Sequence, residues 1–116
     1  MSLERSMIGD VCVLAPKKNL TGGEETQILT AAVDEITAGG VTKVVVDLGK
    51  VAWVNSMGLA GLQRARLLCA GRGASFMLAH VDDRIKNLLV TTRLVILFDS
   101  FATVEEAIAA LEPTSA

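Results

Sequence analysis

The chain has 116 residues, one domain's worth, with 51% hydrophobic and 21% charged residues. That is too apolar for a disordered chain and long enough to bury roughly two-thirds of its unfolded surface without a metal or a disulfide. Aromatics are 3% and the formal net charge is -2, so Val, Leu, Ile, Ala and Met must build the core, and the single basic pair Lys17-Lys18 argues against the clustered cations of nucleic-acid binding.

Residues 3–8 and 11–16 are two short strands joined by Gly9-Asp10, a two-residue hairpin signal. The second strand is apolar on both faces and ends at Pro16, after which Lys17-Lys18-Asn19 forms an exposed loop. Thr21-Gly22-Gly23-Glu24 has the spacing of a capping box and predicts a helix start, with Ile28, Leu29, Ala32, Val33 and Ile36 at helical spacing and Gly39-Gly40 as the stop. Val41 to Leu48 predicts a strand, and its β-branched run Val44-Val45-Val46 suits the doubly buried centre of a parallel sheet. After the turn at Gly49-Lys50, Val51 to Val54 is a short extended return.

Asn55-Ser56-Met57-Gly58 leads into a second helix running to about Gly71, with Leu59, Leu62, Ala65, Leu68 and Cys69 inward. Phe76 to Ala79 is the next strand, and Asp82 to Thr91 a third helix with Ile85, Leu88 and Leu89 inward. Val95 to Phe98 is expected as a last strand. Thr103 to Glu106 is a second capping box, opening a helix that presents Val104, Ala107, Ile108 and Leu111. Pro113 closes the chain's structured part. The order ββαβαβαβα implies one α/β domain over residues 3–112, with a mixed, mostly parallel sheet of four to five strands and about four helices.

Catalytic chemistry is nearly absent, and the chain reads as a non-enzyme with no cofactor and no metal site. His80 stands alone after a strand, with no nucleophile motif. Gly39-Gly40 and Gly71-Arg72-Gly73 end helices, where a phosphate cradle would begin one. Asp47, near the carboxyl end of a central strand, is divided between ligand binding and capping a turn; Asp82-Asp83 complements a helix dipole. Cys12 and Cys69 follow no metal spacing and read as buried hydrophobes. No apolar run reaches the ~18–20 residues that span a bilayer, and no secretory signal opens the chain, so a cytoplasmic protein without membrane insertion is expected.

One site remains. Ser56 sits at or just before a helix's first turn, where free N–H groups and partial positive charge favour an anion. A phosphoryl group there adds about -1.5 to -2 charge. The host fold tolerates that charge, while a partner docking acidic or apolar groups on the same surface does not. Spacing alone leaves open the plainer reading, in which Asn55 or Ser56 is only an N-cap.

Val45-Val46-Asp47-Leu48 followed by Trp53-Val54-Asn55-Ser56-Met57-Gly58-Leu59 resembles the STAS domain, the sulfate transporter and anti-sigma-factor antagonist family. Arg84-Ile85-Lys86-Asn87-Leu88-Leu89 and the stretch Thr92-Arg93-Leu94 through Leu97-Phe98 extend the resemblance to nearly the whole chain. The resemblance implies an anti-sigma-factor antagonist that binds a kinase-type anti-sigma factor and is switched off by phosphorylation of Ser56. It implies a partner surface of Asn55, Ser56, Met57, Gly58 and Thr21, with an anti-sigma factor serine kinase as the partner and weak homodimerisation as a further expectation. Asn55 replaces the family's Asp, Met57 its second Ser or Thr, and Arg93 a Gly at a helix end, where a left-handed non-Gly residue costs about 1 kcal/mol. These departures frame an alternative: a non-phosphorylated interaction module, either a stressosome-like scaffold or the soluble partner of an ABC lipid-transport system.

Overall fold

A computed structural model describes residues 3–111. Strands β1 (Leu3–Ile8) and β2 (Val11–Pro16) form the expected hairpin, antiparallel and in register from Leu3 opposite Pro16 to Ile8 opposite Val11. Gly9, at φ +62°, takes the left-handed conformation that the tight link needs. Helix α1 (Glu24–Ala38), strand β3 (Lys43–Asp47), helix α2 (Ser56–Gly71), strand β4 (Ser75–Ala79), helix α3 (Asp83–Thr91), strand β5 (Asp99–Phe101) and helix α4 (Val104–Leu111) follow. The expected order ββαβαβαβα is therefore the observed one. The expected domain end at residue 112, and Pro113, lie outside the described residues.

The sheet runs β1-β2-β3-β4-β5, and every pairing after the hairpin is parallel. Both faces of its centre are covered, which is why β3 reads as a continuous Val run. Val44 and Val46 face a core with α1, α2 and α3, filled by Leu29, Val33, Leu62, Ala65, Ile85 and Leu89. Val45 faces the other way, with Val11, Val13 and Ala79, and is covered by Ala107 of α4 with Val104, Ile108 and Leu111 beside it. Cys12 and Cys69 are buried and free, and burial pushes both thiols up, Cys69 to about 11.

Two local expectations are corrected. Val95 to Phe98 is no strand: Leu94 and Val95 both donate their N–H to the Leu89 carbonyl, and Leu97 donates to Leu94. This turn drops Phe98 into the core, 6.3 Å between ring centroids from Phe76, and the strand starts one residue later at Asp99. A short apolar run fits a strand or a buried turn equally by periodicity, and here packing decided. The capping box expected at Thr21–Glu24 does not form either. Gly23 is the N-cap, with no side-chain cap, and Gly22 at φ +90° donates its N–H to Thr26 Oγ1 at 2.9 Å. Among the described residues, no helix is long and apolar enough to cross a membrane.

Candidate functional site

The segment from Leu48 to Asn55 leaves the carboxyl end of β3 and crosses to α2. Asp47 spends its carboxylate locally: Oδ1 accepts the Gly49 N–H at 2.9 Å and lies 2.6 Å from Nδ1 of His80. The turn cap open for Asp47 is thus present in the structure. Val51 and Val54 are buried, and Ala52 and Trp53 between them are exposed. The β2–α1 loop runs alongside. Leu20 donates its N–H to the Trp53 carbonyl and accepts from Asn55 through its own carbonyl, both at 3.2 Å, so Leu20 and Val54 form a parallel bridge.

Asn55 is the N-cap of α2. Its backbone is extended, at φ -97° and ψ -177°, and its Oδ1 accepts the Gly58 N–H at 2.8 Å. This satisfies one donor of the helix's first turn. Ser56 is the first helical residue and is exposed. Among the described residues, the N–H groups of Ser56 and Met57 have no protein partner, and the first turn carries no acidic side chain. An anion on the Ser56 hydroxyl thus meets open donors and a favourable dipole.

Met57, next to the serine in the chain, is 62% exposed, and Trp53, three residues before it, 57%. Trp53 lines a cleft with α3, and Met57 one with α1 and the β2–α1 loop. Gly58 is buried, and a Cβ built on it would overlap the Leu20 carbonyl oxygen. It underlies the surface expected to meet a partner and contributes no side chain to it. Thr21 is exposed in the same loop, between Leu20 and Gly22, and a Cβ on Gly22 would collide with that of Met57. The structure thus brings the β2–α1 loop and the first turn of α2 into one surface, with Asn55, Ser56 and Met57 at its rim. A cleft of about 290 Å³ lies beside it, lined by Ala52, Trp53, Val54, Arg84, Ile85 and Leu88.

Asn19, read from sequence only as part of an exposed loop, takes a larger part. Its Oδ1 accepts two successive backbone N–H groups, from Ala52 at 3.1 Å and Trp53 at 2.9 Å. Only its position one residue before a buried leucine could have hinted at this.

A family model described as the STAS domain matches residues 3–107. No curated protein sequence matches the chain at a significant level. Solved structures share the fold. A Thermotoga maritima protein provisionally classed as an anti-sigma factor antagonist aligns with TM-score 0.84 and 23% identity, over 93% of this chain and 92% of the other. An anti-sigma factor antagonist from Mycobacterium paratuberculosis aligns with TM-score 0.76 and 19% identity, over 93% and 91%. The Bacillus cell fate determinant SpoIIAA in its phosphorylated form aligns with TM-score 0.72 and 15% identity, over 95% and 99%.

Proposed function

The chain belongs to the STAS domain family, and from that premise we propose that it is an anti-sigma-factor antagonist. It acts by binding a kinase-type anti-sigma factor and not by catalysis. Phosphorylation of Ser56 ends the complex. The observation that carries this reading is the exposed Ser56 at the first position of α2, with two unpartnered amides behind it. A neighbour of the same fold, SpoIIAA, is known in unphosphorylated and phosphorylated forms. In the transfer, the Ser56 oxygen bonds to the γ-phosphorus of ATP held by the kinase. The bond to the ADP oxygen breaks, and the hydroxyl proton passes to the kinase's base.

Asn55 keeps the capping role that an Asp would fill, since both types offer a side-chain oxygen to the third helical amide. What it omits is the negative charge next to the serine. The helix start is therefore intact, and the substitution bears on recognition by the kinase.

Incubation with a kinase-type anti-sigma factor and ATP, followed by intact mass, tests the reading. One added phosphate is expected on the wild type and none on Ser56→Ala. A wild type that gains no phosphate from a competent kinase, yet still binds a protein partner, would instead be the non-phosphorylated interaction module.

A further inference from the structure

Trp53 is the chain's single tryptophan, and most of its side chain is open to solvent. Side-chain packing anchors the residues that bound the exposed pair Ala52-Trp53: Val51 and Val54 are buried. Ala52 and Trp53 are exposed, and what holds their amides is the Asn19 side chain from a loop 33 and 34 residues earlier. A carboxamide oxygen has two lone pairs, and here each takes one N–H. The Trp53 carbonyl is held as well, by the Leu20 amide. The exposed indole thus rises from a backbone held at both its N–H and its C=O.

We infer that Asn19 is a positioning residue that presents Trp53 as a preset contact for the protein partner that reads Ser56. The inference rests on the antagonist reading. Tryptophan buries a large apolar surface with few rotatable bonds, which makes it a frequent centre of binding energy. Fixing its backbone before binding removes part of the ordering cost that a free loop incurs. The cleft between Trp53 and Arg84, Ile85 and Leu88 of α3 gives a partner's apolar side chain a place to seat against the indole. Asn19 would touch no partner atom itself.

The test compares wild type, Asn19→Leu, Asn19→Asp, Trp53→Ala and the Asn19→Leu/Trp53→Ala double variant. Asn19→Leu keeps the size and removes the acceptor; Asn19→Asp keeps the acceptor. Amide exchange at Ala52 and Trp53 is expected to quicken roughly tenfold in Asn19→Leu and return to wild-type rates in Asn19→Asp. Exchange at Val44 to Val46 stays unchanged. If Asn19→Leu folds poorly, Asn19→Ala carries the same expectation. Binding to the kinase-type anti-sigma factor is expected to weaken about tenfold or more in Asn19→Leu and in Trp53→Ala, with the double variant no weaker than Trp53→Ala alone.

Unchanged exchange at Ala52 and Trp53, equal acceleration throughout β3, or additive binding losses would each overturn the role of Asn19. A wild type that binds no such kinase overturns the antagonist reading and, with it, the named partner. Exchange then still decides, separately, whether Asn19 holds Trp53.

Discussion

Gly58 shows how narrow the tolerance is around Ser56. The Leu20 carbonyl lies where a side chain at residue 58 would begin, and that carbonyl also accepts the Asn55 amide. A methyl group there must push the β2–α1 loop off α2. Gly58→Ala is expected to cost about 3 kcal/mol in urea unfolding, the upper range for overpacking. Full stability in that variant would contradict the tight packing of the β2–α1 loop on α2. Individual residues were legible from sequence where their partners are local. Asn55 caps an amide three residues on, and Arg93 has the left-handed backbone, φ +61°, expected at a helix end that ordinarily takes glycine. Asn19 was not legible, because the amides it holds are more than thirty residues away and its own neighbours read only as a polar loop.

Helix starts in this chain show when a local signal wins. At Thr103 the cap bond forms, Thr103 Oγ1 accepting the Glu106 N–H at 3.1 Å, while the Glu106 carboxylate accepts from Ala102, one residue before the cap, at 3.3 Å. The same spacing at Thr21 fails, because Gly22 turns into a left-handed conformation to fit against Met57 and takes Thr26 as its acceptor. Tertiary contact overrides the box where the loop packs against the first turn of α2. Helix α3 is capped by Asp82, whose Oδ1 accepts the Ile85 N–H at 2.9 Å. That bond holds its carboxyl below the usual range, with Arg84 adding a smaller effect that solvent screens. A folded-state value below the unfolded one means the cap's contribution is complete above about pH 4 and is lost as pH falls through the folded value. Asp82→Ala is expected to cost about 1 kcal/mol at neutral pH. It should also remove part of the loss of stability that thermal unfolding is expected to show as pH falls below about 4. A variant with the wild-type acid profile would show that another carboxylate governs that range.

Across the molecule, the fold was legible because alternating strand and helix patterns leave few arrangements. Val44-Val45-Val46 announced a strand buried on both faces, and the three residues have no exposed surface. The β5 position was not legible, since Val95 to Phe98 and a true strand look alike until the turn after Arg93 is seen. The candidate surface was half legible. Ser56 and Met57 are exposed at the start of α2, where the sequence put them, while the proposed part of Trp53 and Asn19 depends on two chain segments meeting at the parallel bridge between Leu20 and Val54. The proposed switch would separate binding from stability. In the proposed switch, a phosphate on Ser56 would sit at a helix start that favours negative charge, next to the exposed Met57. The decisive measurement is a calorimetric titration of a kinase-type anti-sigma factor with the unphosphorylated chain and with the chain phosphorylated at Ser56, alongside the thermal midpoint of each. Phosphorylation is predicted to weaken binding at least about tenfold, or 1.4 kcal/mol, while the midpoint stays the same or rises. Equal affinity of the two forms would contradict the switch at Ser56.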